Sequence, residues 1–205
     1  KVDYIFFPDL YTVDHPGAHT RQNYGCSFMQ LAFKVVNRAM DLDVKGIELL
    51  SPTIAFNQGR AFMMNQFSDL VRRLHCNEAE TGPALQQAMA AFHAFETRIQ
   101  KNGKAVLGRM DPTKKTFVLI SKIYGIADPV LNMGIPERLM DMGYPVLGFH
   151  HLPPGNICQE HPNMYWPFGQ HILEAAPFIK AHPNMYAILL THHGCGPDSV
   201  LTHYF

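Results

Sequence analysis

Cys195 stands between two glycines in THHGCGPDSVLTHYF, the stretch from Thr191 to Phe205. Glycine on either side removes side-chain bulk and opens backbone angles closed to other residues, so a large ligand can come close to the sulfur. The residues after Gly196 read as the first turns of a helix with Asp198 as its N-cap. A sulfur just ahead of a helix start faces the positive end of the helix dipole, which favours thiolate over thiol. The structural alternative is a small residue filling a tight strand-to-helix turn. Cys26, in RQNYGCSFMQL, repeats the context: a strand, a loop, a glycine, then a cysteine opening a helix. Two such thiols at corresponding places in two α/β lobes could face one cleft. Cys76 in RRLHCNE and Cys158 in PPGNICQEHPN lack the glycine-flanked setting and read as structural or incidental.

Histidine offers a competing chemistry. There are twelve, with His150-His151 and His192-His193 each closing an apolar run that reads as a strand. If those strands were neighbours, four imidazoles would crowd one sheet edge and zinc would be a reasonable occupant. Adjacent strand residues point to opposite faces, however, so one histidine of each pair at most could serve a common site, and no H-E-x-x-H motif is present. A third candidate is the loop in SKIYGIADPVLNMGIPERL, where Tyr124, Gly125, Asp128, Asn132 and Gly134 precede a proline-started helix. It is longer than most strand-to-helix connections and offers free backbone N–H groups to an anion, although it has neither a Walker pattern nor G-x-G-x-x-G. No G-x-S-x-G elbow supports a hydrolase. Tyr165, Trp166 and Phe168, clustered in NMYWPFGQH, read as core or pocket wall.

These residues need a scaffold, and the sequence supplies an α/β one. From residue 116 the order is strand (TFVLIS), helix (IPERLMDMG), strand (YPVLGFHH), a helix interrupted by Pro177, strand (MYAILLTHH) and a final helix. Continuous apolar strands alternating with helices imply a parallel sheet of the doubly wound kind, with ligands beyond the carboxyl ends of its strands. In the first half, VDYIFFPDL, the helix SFMQLAFKVVNRAM and the short strand KGIELLSPTI make a smaller fragment of the same type. Two long helices then fill residues 57 to 110. The expected organisation is a partial α/β lobe over 1–56, a helical connector over 57–110 and a second lobe over 111–205. Both ends read as cut from a longer polypeptide.

The 205 residues, 47% of them apolar, are enough for a sizeable core, and seventeen basic residues balance seventeen acidic ones. No overall field draws the chain to nucleic acid or an anionic membrane. No apolar run approaches a bilayer span and no signal-peptide pattern is present, so the expected compartment is the cytoplasm. The widely spaced cysteines favour thiols or metal ligands over disulfides.

Taken together, SKIYGIADPVLNMGIPERLMDMGYPVL, NMYWPFGQHILEAAPFIK and LLTHHGCGPDSVLTHYF resemble the C-terminal dehydratase-like part of the large 2-hydroxyacyl-CoA dehydratase activase-related proteins. VDYIFFPDL with NYGCSFMQLAFKVV resembles the region before it. The resemblance is clearest from residue 117 onward. It implies flavodoxin-like lobes around a four-iron, four-sulfur cluster held by three cysteines, with one iron open to substrate. The resemblance further implies an ATP-dependent activase partner that supplies one low-potential electron and a reduced site that removes water from a 2-hydroxyacyl-CoA. Carried over, Cys26 matches the family's middle cysteine and Cys195 the last, while the first corresponds to a position upstream of Lys1. Tyr124, Gly125, Asn132 and Gly134 would then line the cleft for an acyl-CoA-like ligand. The alternative within the same fold is a module without a cluster that docks the activase; a zinc enzyme using the histidine pairs ranks third.

Overall fold

Prolines break the first strand of this chain and its partner at matching places. In the computed structural model, which describes residues 2–13, 23–155, 161–192 and 194–205, the expected strand VDYIFFPDL is two strands, β1 (Tyr4–Phe6) and β2 (Asp9–Thr12). The expected strand KGIELLSPTI is likewise split into β3 (Glu48–Leu50) and β4 (Thr53–Ala55). β1 runs parallel to β3 with Tyr4 opposite Glu48, and β2 runs parallel to β4 with Asp9 opposite Thr53, at the same offset. The two short pairs are therefore one parallel ladder, interrupted at Pro8 and Pro52, neither of which has an N–H to give to it. Single bonds from Phe7 N–H to the Leu50 carbonyl (2.9 Å) and from Asp9 N–H to the Pro52 carbonyl (3.0 Å) carry the pairing across the break.

The crossover between these strands is α1 (Ser27–Met40), whose apolar residues recur at helical spacing. Two long helices follow, α2 (Gly59–Arg73) and α3 (Thr81–Leu107). The described residues up to Phe92, with Tyr165–Pro167, form one compact unit; His93–Met164 and Phe168–Phe205 form a second. In the first, Leu42, Leu50, Ala55, Met63 and Leu85 are buried.

The second unit is built on a three-stranded parallel sheet in the order β6-β5-β7. β5 (Thr116–Ile120) lies in the middle, β6 (Val146–Gly148) on one side and β7 (Met185–Leu189) on the other. The short helices α4 (Ile123–Ala127) and α5 (Ile135–Asp141) lie between β5 and β6 in sequence. α6 (Pro167–Lys180) precedes β7, and α7 (Gly196–Tyr204) follows it. Val118, Leu119 and Ile120 are fully buried, as a central strand covered on both faces requires. The fold class is α/β with flavodoxin-like parallel-sheet lobes and long helices, as the alternation of strands and helices implies.

Three local expectations are corrected. The strands are shorter than the apolar runs that announce them: Phe149–His151 leaves β6 as a 3₁₀ turn, and β7 ends at Leu189. His150 and His151 therefore do not alternate across a strand, His192 lies beyond the end of β7, and the two strands that precede these histidines are not neighbours, because β5 lies between. α6 passes through Pro177 without interruption. Its face carrying Ile172, Leu173, Ala175 and Ile179 is buried, and that packing outweighs the missing N–H in the last turn. Among the described residues no helix is long and apolar enough to cross a membrane.

Candidate functional site

With β6 and β7 on opposite sides of β5, the sheet has a topological switch point between the carboxyl ends of β5 and β7, where open α/β sheets form a crevice for ligands. Immediately after β5 come Ser121 and Lys122; after β7 come Thr191, His192, Gly194 and Cys195. Lys122 Nζ donates to Asp198 Oδ2 at 2.6 Å and to Cys195 Sγ at 3.1 Å. Thr191 Oγ1 donates to the same Asp198 oxygen at 2.9 Å. The ion pair is nearly sealed from solvent, its side chains 6% and 4% exposed. Burial alone would push the Lys122 ammonium towards its neutral form. The hydrogen bonds to Asp198 and Cys195 and the charge of Asp198 outweigh that, and its pKa lies above the ordinary lysine value.

Cys195, not Asp198, is the N-cap of α7. Its backbone is extended, and its carbonyl accepts the first helical bond from Ser199 N–H at 3.2 Å. Asp198 lies one turn inside, where the helix dipole favours a carboxylate, and is turned towards Lys122. Lys122 and Thr191 are the site residues that sequence reading missed. The signal for Lys122 was present: a lysine directly after a five-residue buried strand must find a counter-charge.

The loop candidates divide. Tyr124 and Gly125 belong to α4, directly beyond Lys122, and come to His192: the Tyr124 ring lies 6.1 Å from the His192 ring, and Gly125 packs against Ser121 and His192. Asn132 and Gly134 brace the loop instead. The buried Asn132 side chain donates to the Ile126 carbonyl and accepts from Gly134 N–H, each at 2.8 Å. Gly134 precedes α5 at φ 67°. Asp128 Oδ1 accepts from Val130 and Leu131 N–H.

Cys26 is the half-buried N-cap of α1, in the first unit, whereas Cys195 belongs to the second. Cys76 is exposed just past α2. Cys158 and His193 lie outside the described residues. His150 and His151 face each other in their 3₁₀ turn with ring centroids 4.2 Å apart. Burial, and then the neighbouring His151, pushes the pKa of His150 down to about 4.

A four-iron cluster takes three or four thiolate ligands. Cys26 and Cys195 are both free thiols at helix N-caps, and an N–H donor on sulfur, as Lys122 provides to Cys195, is the kind of contact that tunes a ligated thiolate. Among the described residues no three His, Cys, Asp or Glu side chains are grouped to hold a metal ion, so they do not complete the donor set.

Comparison with known proteins adds a family. The model of the family described as "CoA enzyme activase uncharacterised domain" matches residues 1–152. The match includes Cys26 and Lys122 and ends before Thr191, Cys195 and Asp198, whereas the resemblance in sequence is clearest from residue 117 onward. No curated protein and no solved structure matches the chain.

Proposed function

The chain belongs to the family of the CoA enzyme activase uncharacterised domain, and from that premise we propose that it works as an iron–sulfur, 2-hydroxyacyl-CoA dehydratase-like redox module of an activase-related protein. Cys26 and Cys195 each give a thiolate to a cluster whose other ligands come from outside the described residues. The loop carrying Tyr124, Gly125, Asn132 and Gly134 lines the cleft for an acyl-CoA-like ligand, and an ATP-dependent activase is the electron donor. The observation that carries this reading is the Lys122 ammonium on the Cys195 sulfur at the switch point of the sheet. A buried lysine held by a carboxylate and aimed at sulfur is costly for stability alone.

When bound, a four-iron cluster supplies one-electron chemistry at low potential. The chain's own residues have separate tasks. Cys195 presents sulfur at the head of α7. Lys122 donates a hydrogen bond to that sulfur, Asp198 fixes the ammonium, and Thr191 fixes Asp198.

The test is iron and acid-labile sulfide analysis, with visible spectra, on the full-length protein purified without oxygen. Wild type should carry iron, Cys195→Ala and Cys26→Ala should lose it, and Cys76→Ala should keep it. Iron-free wild type, or full iron in Cys195→Ala, would sink the proposal. A second reading, a module that docks the activase and holds no cluster, draws on α1. None of its residues is buried, and Phe28, Leu31 and Val35 stand exposed along one side. It predicts activase binding that survives loss of both thiols and fails in Leu31→Asp.

A further inference from the structure

In the first unit, α2 and the opening turns of α3 form a half-open cleft of about 290 Å³ with the 3₁₀ turn Phe56–Gln58 as its third wall. Phe56, Met63, Leu85 and Met89 give it an apolar lining, with Arg60 and Gln86 as its polar residues. Met63 and Leu85 are buried, and Met63 is anchored because its sulfur accepts from Ala55 N–H at 3.4 Å. Such a chamber, apolar with a few polar groups, is the common form of a small-molecule site, and its size is at the small end of the range.

Arg60 decides what fits there. Two other arginines on α2 have partners: Arg72 pairs with Asp69 and Glu78, and Arg73 with Glu48 at 2.7 Å. Among the described residues the Arg60 guanidinium has no ion pair or hydrogen bond. It lies in the first turn of α2, which contains no acidic residue, so the helix dipole adds to its charge instead of offsetting it. Among the described residues nothing offsets this charge, and a bound anion would. A planar carboxylate matches the fork of a guanidinium, and an apolar tail matches the chamber. We infer that this cavity binds a medium-chain aliphatic carboxylate, with the chain against Phe56, Met63, Leu85 and Met89 and the carboxylate on Arg60. The site is separate from the switch-point residues and does not depend on the cluster.

Calorimetric titration of the full-length protein with sodium octanoate tests this. One octanoate should bind per chain, and 1-octanol, which keeps the chain and loses the charge, should bind about 10-fold more weakly. Arg60→Gln, at an exposed position, should weaken octanoate about 10-fold and leave octanol unchanged. Met89→Trp should fill the chamber and reduce both, with the circular dichroism spectrum and melting temperature showing that the chain is folded. The inference is overturned if wild type does not bind octanoate, if Arg60→Gln binds it as tightly as wild type, or if folded Met89→Trp retains full affinity.

Discussion

Two helices of this chain open with the same pair of residues, Gly25-Cys26 and Gly194-Cys195, and the pair does different work in each. Both cysteines are extended N-caps whose side chains do not close the cap. Gly25 is needed for room: its N–H donates to the Tyr11 carbonyl at 2.8 Å, and a Cβ there would lie 2.5 Å from the Leu10 carbonyl oxygen. Gly194 is needed for its torsion: φ is 80°, and a Cβ would meet nothing within 4 Å among the described residues. The carboxylates of the two regions differ as sharply. Asp198 is locked to Lys122 and Thr191. Asp9, on β2, has a Thr53 hydroxyl at 3.4 Å on one oxygen, while its other oxygen is buried without a partner among the described residues. A shared sequence pattern thus gives the same backbone and two unlike electrostatic settings. Among the described residues, only the second setting places a charge beside the sulfur.

The largest effect should come from breaking that setting. Lys122→Met leaves the Asp198 carboxylate buried beside one hydroxyl, and the expected loss in urea denaturation is about 3–5 kcal/mol. Adding Asp198→Leu removes the stranded charge and should restore most of the loss. Cys26→Ala, which strands no charge, should be close to neutral when compared with wild type in the iron-free form. A Lys122→Met loss below about 1 kcal/mol would mean that the ion pair is solvated and that the two regions are electrostatically alike.

The glycines give the next contrast. Gly25→Ala forces the new methyl group against a backbone carbonyl and should cost about 1–3 kcal/mol. Gly194→Ala meets no atoms but must hold a left-handed torsion, at about 1–2 kcal/mol. Asparagine separates the causes. Gly194→Asn should recover much of the loss because asparagine tolerates that region. Gly25→Asn should be as damaging as alanine or worse. Equal recovery at both positions would erase the distinction between room and torsion.

How much of this was legible in the sequence depends on range. The βα alternation, the long helices and the Gly-Cys helix starts were readable because they rest on local periodicity and turn chemistry. The splitting of the first ladder was half readable. Pro8 and Pro52 are visible, but only the pairing shows that they interrupt the same ladder at matching places. The Asp198 assignment failed because its partner, Lys122, lies 76 residues away, and a first-turn aspartate looks like a cap until a buried cation claims it. The placement of His150, His151 and His192 on strands was misread for a related reason. The apolar runs before them continue past the last ladder bond, and where a strand stops is set by its neighbour's length. The Arg60 cavity left no trace in local pattern, since its walls come from α2 and α3 and only their packing sets Phe56 against Leu85 and Met89.

The smallest effect tests the comparison through pH. Burial raises the Asp9 pKa above 3.8, against the lowering effects of Thr53 and Lys34, so the fold favours the neutral carboxyl. A raised folded pKa gives stability that is full below the unfolded value and is lost as pH rises through the folded one. At neutral pH the ionised Asp9 is therefore a cost. Asp9→Asn, neutral at every pH, should match wild type near pH 3 and gain about 1–3 °C in melting temperature by pH 7, with the rise confined to the acid range. Lys122 also has a raised pKa, but it is a lysine, so its contribution persists through neutrality and is lost only above the ordinary lysine range. Asp9 and Lys122 thus respond in separate pH windows, and Lys122→Met should remove the alkaline one. A melting temperature for Asp9→Asn below wild type at pH 7 would show that Asp9 has an ionic partner in the fold, and the contrast with Asp198 would fail.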